Sequence, residues 1–357
     1  MMEKRGLKIE REFIPENSSL IDILKIFSPG TPMRTALDDI LSSRMGALIV
    51  IDKDGLSAIA EGGFKINCPF SPQKLTELAK MDGAIILSRD LKKILYSNVL
   101  LVPKSEIKTK ETGTRHKAAE KTSKQIKTIV IAVSERKNKI TLYWGEEKYV
   151  LEKSSEILRR ATESLQILEK QKEVFDDLLS HLNILEITDL VTMRDVCNVL
   201  QRIEIIKRIS EMIKRYLIEL GKEGVIVSMR LKELIRNLDK ERVMIIKDYF
   251  GDESLKAEEI LTGMNFDFLL ETSNISRLLF EELHDKPVSP RGYRILEKTG
   301  ILEKDITILV NNFNTLNKIF CADEDSLVRL FRNENFVVSL KQDLDDLKEK
   351  VLSRKRI

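Results

Sequence analysis

Two cations and a histidine follow a threonine at the start of a predicted helix, where the backbone disfavours positive charge. In the segment GTRHKAAE, Thr114 is predicted to cap the helix, and Arg115, His116 and Lys117 follow in its first turn. A helix N-terminus carries a partial positive charge and favours anions. The conflict disappears if this helix start binds phosphate, because free backbone N–H groups, bidentate arginine and lysine all suit that anion. The alternative is an exposed helix start with unfavourable charge.

The surroundings of this segment favour the phosphate interpretation. Gly113 would let the backbone approach a ligand closely, and the Thr114 hydroxyl can donate to a phosphate oxygen instead of capping. Residues 103–139 contain eleven Lys or Arg and four Asp or Glu, so their balance is 11 − 4 = +7, against +3 for the whole chain. Such a local field favours an anionic ligand. A solvated basic surface is the competing interpretation.

A second candidate is Asp82, which precedes an apolar run in AKMDGAIILS. A carboxylate at a strand edge can hold Mg²⁺ on a triphosphate or orient a hydroxyl, and Gly83 leaves room for a ligand. An ordinary Asp-Gly turn is the alternative. The chain contains neither GxGxxG nor GxxxxGK[ST], which argues against Rossmann and Walker-type nucleotide binding.

The elements that would position these residues form a mixed α/β domain over residues 1–147. Strands are predicted at 47–51, 84–87, 94–102, 128–133 and 140–144, and a helix at 71–80 has a serine cap followed by proline. The turn signal DKDG predicts a hairpin in which residues 56–60 return beside the first strand. SERKNK, residues 134–139, predicts a second hairpin, and the helix of the phosphate candidate lies between two strands.

The rest of the chain is predicted to be helical. Apolar residues at helical spacing indicate a spine over residues 148–284, and we interpret its apolar stripes as core. Pro287 and Pro290 mark a boundary, after which residues 285–357 form a small helical domain. The fold class is therefore multidomain α+β.

Composition excludes several classes of protein. With 42% apolar and 33% charged residues the chain is expected to be soluble, and no segment approaches the roughly 18 apolar residues of a membrane span. The three cysteines lie far apart, so neither a zinc site nor a disulfide framework is indicated. Without a signal-peptide core, a cytoplasmic location is expected.

Four segments together resemble a known family. KMDGAIILS, LLVP, ETGTRHKAAE and IAVSERKNKITLY match the order and spacing of the diadenylate cyclase domain. The helical spine and small C-terminal domain are similar to the DNA-integrity scanning diadenylate cyclases. The resemblance implies condensation of two ATP into cyclic di-AMP and two pyrophosphates, with Mg²⁺ or Mn²⁺ as cofactor. A sensor of DNA or nucleotide that has lost synthesis is the alternative.

The resemblance also implies residue roles. Asp82 would serve the metal and the attacking 3′-hydroxyl, so that Asp82, Arg115 and His116 are the candidate catalytic residues. The triphosphate would lie against the helix start and the following loop, and the backbone near Leu101 would face the adenine. The implied ATP-binding set is Gly83, Leu101, Thr114, Arg115, His116, Lys117, Ser134, Arg136 and Lys137.

Two departures concern the phosphate groups. Lys117 stands where the family has arginine; it keeps the charge but loses the bidentate fork, which predicts weaker phosphate binding. Glu135 stands in a loop that is usually more basic. Two alternatives stay open: the Glu135 side chain repels the triphosphate, or it faces solvent. By resemblance, two chains meet face to face with one ATP each, in an isologous contact, and assemble as octamers.

The C-terminal domain resembles helix-hairpin-helix units, which bind the DNA backbone through glycine-containing hairpins. Gly300 lies in the first such hairpin and is the candidate DNA-binding residue. At the second, FRNENFVVSL contains no glycine, so this hairpin is degenerate. The net charge of +2 after residue 290 is modest for a DNA-binding surface. DNA binding is thus expected from the resemblance, and it would modulate synthesis.

Overall fold

The computed structural model describes residues 20–280 and 286–353. The chain divides into two compact units. In the described part, the first contains the residues up to Ala161 together with Arg215–Ile226, and the second contains Thr162–Lys214 and the residues from Val227 onward. The predicted boundary at 284/285 lies outside the described residues.

A mixed eight-stranded sheet forms the centre of the first unit. Its order is β2-β5-β4-β1-β6-β7-β8, and β3 also pairs with β5. Among the described strands, β1 and β4 pair in parallel and the other pairs are antiparallel. The strands are β1 (Ala47–Ile51), β2 (Ala60–Glu61), β3 (Phe64–Pro69), β4 (Ala84–Leu87), β5 (Lys93–Leu101), β6 (Ile129–Ser134), β7 (Lys139–Trp144) and β8 (Glu147–Leu151).

Helices cover both faces of this sheet. Side chains alternate along β1, so Ile49 and Ile51 pack into one core while Leu48 and Val50 pack into another. The first core also holds Leu37, and the second holds Ala119. The helices of this region are α1 (Leu20–Ile26), α2 (Pro32–Ser42), α3 (Pro72–Leu78) and α4 (Thr114–Ile126).

The hairpin predicted after β1 is wrong, whereas the second one is confirmed. Residues Leu56–Ala58 form a 3₁₀ turn, and β2 pairs with β5 instead of β1. All five residues of β1 are buried, and β4 and β6 occupy both edges of the strand. The strand therefore has no edge that a returning hairpin could use. The SERKNK hairpin forms between β6 and β7, with Ser134 opposite Lys139.

Helices follow the sheet, which confirms the predicted fold class. The long helix α5 (Ser154–Thr188) and its successor α6 (Met193–Leu220) bury the predicted stripes, including Ile157, Phe175 and Ile203. No described helix is long and apolar enough to span a bilayer. The others are α7 (Val225–Leu234), α8 (Leu238–Phe250), α9 (Ser254–Gly263), α10 (Phe266–Leu269), α11 (Thr272–Phe280), α12 (Tyr293–Glu297), α13 (Glu303–Phe313), α14 (Leu316–Phe320), α15 (Glu324–Phe331) and α16 (Glu334–Leu352).

The segment with Gly300 joins two helices by a tight turn. Gly300 has φ of +79° between α12 and α13, and open space surrounds the position of a Cβ there. The glycine-free segment forms a similar turn between α15 and α16. There Arg332 adopts the left-handed conformation with φ of +54°, and the side chain of Asn333 caps α16. Two helices are therefore joined by a tight turn here without a glycine.

Buried polar groups fasten α12 within the second unit. The carboxylate of Asp248 accepts backbone N–H groups from Gly292, Tyr293 and Arg294 at 2.9, 2.6 and 3.0 Å. The Arg294 guanidinium is buried and donates to Asn183 at 2.7 Å and to a glutamate of α5. These bonds fix the start of the C-terminal helices against α8 and α5.

Candidate active site

One edge of the sheet collects the ends of four strands. The parallel pairing of Leu48 with Ala84 places the N-terminal ends of β1 and β4 side by side. The antiparallel neighbours β5 and β6 finish at the same edge, because Val99 pairs with Ala84 and Val133 with Ala47. Asp82 precedes β4 and Ser134 ends β6. The topology therefore brings both chemistry-bearing segments to this edge.

The start of α4 differs from the prediction by one residue. Gly113, in an extended conformation, is the N-cap, so the prediction of Thr114 as cap is wrong and Thr114 begins the helix. Glycine offers no side chain for capping, and the first turn contains no acid. The first helical hydrogen bond runs from the Lys117 N–H to the Gly113 carbonyl at 2.8 Å. The amides of Thr114, Arg115 and His116 have no partner within the helix, as phosphate binding requires.

Arg115 and Asp82 meet at this edge. The guanidinium Nη2 lies 3.8 Å from a carboxylate oxygen of Asp82, whose side chain is 99% exposed, while that of Arg115 is 43% exposed. Gly46, directly before β1, gives the guanidinium its space, since a Cβ on this glycine would collide with it. An exposed pair of this kind contributes little to stability. Its use is to hold a carboxylate and a guanidinium together where a ligand can reach both.

Asp82 has the donor chemistry for a divalent cation. Magnesium on a triphosphate uses carboxylate oxygen together with phosphate oxygens and water. Among the residues that the structure describes, no three His, Cys, Asp or Glu side chains form a cluster able to hold a metal. One exposed carboxylate beside the phosphate candidate fits a metal that arrives with the nucleotide.

Gly83 has a structural reason to be glycine. Its φ is +87°, and a Cβ there would lie 2.8 Å from the backbone carbonyl carbon of Asn98. The missing side chain makes room for β5 rather than directly for a ligand. The position of Asp82 is therefore fixed by a turn that packs against the neighbouring strand β5.

His116 belongs to a chain of hydrogen bonds. Its Nδ1 lies 2.8 Å from the hydroxyl of Tyr143, a residue of β7 that is 1% exposed. Tyr143 donates to Glu111 Oε1 at 3.0 Å, and Lys148 donates to the same carboxylate. His116 Nε2 is buried and has no hydrogen-bond partner among the described residues.

The surroundings of these groups set their protonation. Burial lowers the pKa of His116; Glu111 opposes this effect, and nearby cations add to it. Burial alone would raise the pKa of Glu111, but hydrogen bonds from Lys148 and Tyr143 bring it below its usual value. Burial and Glu111 raise the pKa of Tyr143, which keeps its proton. At neutral pH the carboxylate is therefore charged and the imidazole is neutral.

The turn between β6 and β7 sorts its residues onto different surfaces. Ser134 accepts the N–H of Lys137 at 3.3 Å, and the charge of Lys137 reaches His116, whose pKa it lowers. Arg136 and Glu135 line a separate cavity of about 690 Å³ with Arg34, Arg44 and Lys153. None of the residues at the start of α4 lines that cavity. Lys137 therefore acts on the charge of His116, whereas Arg136 lines the other cavity.

The remaining predicted site residues lie nearby with different exposure. Thr114 and Lys117 are exposed on the first turn and the next. The side chain of Leu101 is buried in the core, and its backbone pairs with Ala60, whereas the neighbouring Leu100 is 61% exposed. Leu100 therefore presents an exposed apolar side chain next to the buried Leu101.

Three residues of the site were not singled out from the sequence. Gly46 accommodates Arg115, and Glu111 and Tyr143 hold His116. Glu111 stands three residues before Thr114 and Tyr143 ends the ITLY segment, so both lay within the quoted motifs. No local pattern marks Gly46, because its partner comes from α4.

The comparisons with known proteins agree over most of the chain. Residues 34–148 match the family described as DisA bacterial checkpoint controller nucleotide-binding, and residues 151–282 match its linker region. A DNA integrity scanning protein DisA of Clostridioides difficile is 42% identical over 92% of this chain and 96% of its own length. The DNA integrity scanning protein DisA of Acetivibrio thermocellus is 44% identical over 87% of this chain and 89% of its own length. That of Clostridium acetobutylicum is 41% identical over 96% of this chain and 99% of its own length.

Proposed function

This chain belongs to the DisA family and is a diadenylate cyclase, and on that premise we propose that it condenses two ATP into cyclic di-AMP and two pyrophosphates. In each of two equivalent steps, a 3′-hydroxyl oxygen bonds to the α-phosphorus of the other nucleotide. The bond from that phosphorus to pyrophosphate breaks, and the hydroxyl proton is released. The observation that carries the proposal is the meeting of Asp82 with Arg115 at the start of α4.

The residues of this edge would act mainly by positioning and by offsetting charge. The free amides of Thr114, Arg115 and His116 and the Arg115 fork would hold the triphosphate, with Lys137 adding charge. Asp82 would hold Mg²⁺ or Mn²⁺ and orient the 3′-hydroxyl. When bound, the cation would neutralise phosphate oxygens. Positioning and preorganised charge of this kind contribute most of the rate in phosphoryl-type transfer.

A second chain would complete the reaction. Each chain has one copy of the site, whereas the product joins two nucleotides, so two sites must face each other in an isologous contact. The 99% exposure of Asp82 supports this arrangement, because a carboxylate so open is accessible to a partner's nucleotide. Octameric assembly from such pairs, and a cytoplasmic location where ATP is abundant, belong to the same proposal.

The C-terminal helices would connect synthesis to DNA. The turns at Gly300 and Arg332 each join two helices through a left-handed residue, which supports a pair of hairpins that approach phosphates. An exposed arginine in the second turn adds a positive charge where the expected glycine is missing. A sensor that binds nucleotide or DNA without synthesis is the second candidate, and Lys117 and the separate placement of Arg136 favour it.

The test is product formation from ATP with Mg²⁺ or Mn²⁺, with and without branched DNA. We expect one cyclic di-AMP and two pyrophosphates for every two ATP consumed, loss of product on chelation, and a changed rate with DNA. Asp82→Asn should abolish turnover. Asp39→Asn is the control, since Asp39 is an exposed aspartate of α2, which packs on the sheet face opposite to α4. ATP binding without product in a folded oligomer would replace the proposal with the sensor.

A further inference from the structure

We propose that His116 takes up a proton on Nε2 when ATP binds and then holds the triphosphate as an imidazolium, with Tyr143 and Glu111 as the positioning residues for this exchange. The inference rests on the proposed function, because it describes how one residue of that site binds the same substrate. One proton passes from solvent to Nε2. No other covalent bond forms or breaks in this step.

The hydrogen bonds determine which ring nitrogen carries hydrogen before ATP arrives. Glu111 is ionised and can only accept, so the single hydrogen of the Tyr143 hydroxyl points to it. The hydroxyl oxygen can then only accept from His116, 2.8 Å away. Nδ1 therefore carries the hydrogen, and in the neutral ring Nε2 is a bare acceptor.

A bare Nε2 does not suit a phosphate. The atom is buried and has no hydrogen-bond partner in the described part of the chain, so its lone pair is unsatisfied there. A phosphate oxygen also presents lone pairs, and two acceptors repel. Contact becomes favourable when Nε2 gains a hydrogen, because a charge-assisted bond to an anion is about twice as strong as a neutral one. Since Nδ1–H stays on Tyr143, only the Nε2 end changes.

The charges around the ring explain why the proton arrives with the ligand. Arg115 from α4, Lys137 from the β6–β7 turn and Lys148 from β8 oppose protonation, whereas Glu111 from the preceding loop favours it. A triphosphate at the start of α4 offsets the first two cations. It also adds negative charge beside Nε2, which favours the charged ring. Binding therefore raises the pKa of His116 above its lowered starting value.

The proton can be counted by calorimetry. Titration with 3′-deoxy-ATP and Mg²⁺, which cannot cyclise, in two buffers of different ionisation enthalpy measures protons exchanged on binding. At about pH 7.5, above the lowered pKa of the free ring, we expect an uptake of about one proton per nucleotide. Affinity should weaken by up to about tenfold per pH unit over the range of uptake. Zero uptake, or the same uptake in His116→Asn, would overturn the proposal.

The positioning role has its own variant and control. Tyr143→Phe removes the acceptor from Nδ1, so we expect less proton uptake and an ATP KM raised about three- to tenfold, the value of one hydrogen bond. Tyr149→Phe is the matched control, because Tyr149 also bonds a carboxylate, that of Glu219, away from His116. A Tyr143→Phe protein that only unfolds more easily, with unchanged uptake, would refute the positioning role.

These results separate the inference from the proposed function. Cyclic di-AMP synthesis without proton uptake would refute only the role of His116. Uptake that depends on His116 and Tyr143, in a protein that makes no product, would refute only the proposed synthesis and would leave the inference in place.

Discussion

A methyl group on Gly46 should disable Arg115 without unfolding the protein. The Cβ of Gly46→Ala would occupy the space of the Arg115 guanidinium, while the nearest backbone atom, the Val133 carbonyl oxygen, is at an ordinary 3.4 Å. Gly46 does not have a positive φ, so alanine imposes no backbone strain. The flexible arginine would have to move, and the sheet would not.

The size of the effect follows from what the arginine is expected to bind. A hydrogen bond to a charged group contributes about 1.5–3 kcal/mol. Loss of that contribution corresponds to a decrease of about 10- to 150-fold in kcat/KM for ATP. The melting temperature should change by no more than a few degrees, because no core contact is lost.

The assay is the initial rate of cyclic di-AMP formation against ATP concentration. Gly263→Ala at the end of α9 is the control, because no atom lies within 4 Å of its added Cβ. If Gly46→Ala acts through the arginine, the double variant with Arg115→Ala should be no worse than Arg115→Ala alone. Additive losses, or unchanged kcat/KM in Gly46→Ala, would refute the reasoning.

Three further predictions concern single residues. Gly83→Ala should destabilise the protein by more than about 1 kcal/mol in urea unfolding, since its φ is positive and β5 lies against it; unchanged stability would contradict this. Lys117→Arg should lower the KM for ATP about two- to fivefold by restoring a bidentate fork, and an unchanged or higher KM would show that position 117 does not touch phosphate. Asp248→Asn should cost about 1–3 kcal/mol, because an amide cannot accept three N–H groups. Burial and Glu186 raise the pKa of Asp248 from 3.8 to about 7. Its contribution is thus largest in acid, below the unfolded pKa of 3.8, and is lost as pH rises to about 7, so the stability gap to Asp248→Asn should shrink between about pH 4 and about pH 7; a widening gap would contradict it.

The strands were predictable where the chain is continuously apolar. The predicted strands at 47–51 and 84–87 are confirmed as β1 and β4. A strand that is buried on both faces is a continuous apolar run, so its ends are clear in the sequence. Because the whole strand is apolar, its sequence does not indicate which strands pair with β1. The turn after Ile51 does not bring the chain back beside β1; it leads to β2, which pairs with β5.

Contacts at the site depended on residues distant in sequence. Tyr143 lies 27 residues from His116, and Gly46 and Arg115 come from different elements. The helix start itself was displaced by one residue, because Gly113 supplies the extended backbone of a cap without the side chain that marks one. Sequence motifs indicated the candidate site, whereas the tautomer of His116 and the space beside Arg115 are seen only in the structure.

The excess of positive charge in residues 103–139 is not one continuous phosphate surface. Lys121 donates to the Ser105 carbonyl at 3.0 Å, and Lys124 pairs with Glu120 at 2.8 Å and donates to the Lys108 carbonyl. These cations fasten the loop before α4 onto the body of that helix.

That loop carries Glu111, and its attachment fixes the carboxylate next to Tyr143. Arg136 meanwhile lines another cavity. Some cations of the basic segment therefore hold the loop whose Glu111 positions Tyr143 and His116. Fewer cations face the nucleotide than the net charge of +7 suggests. A site with few fixed cations gains more from a histidine that becomes charged only when the anion is present, because the proton adds attraction in the complex without repulsion in the empty site.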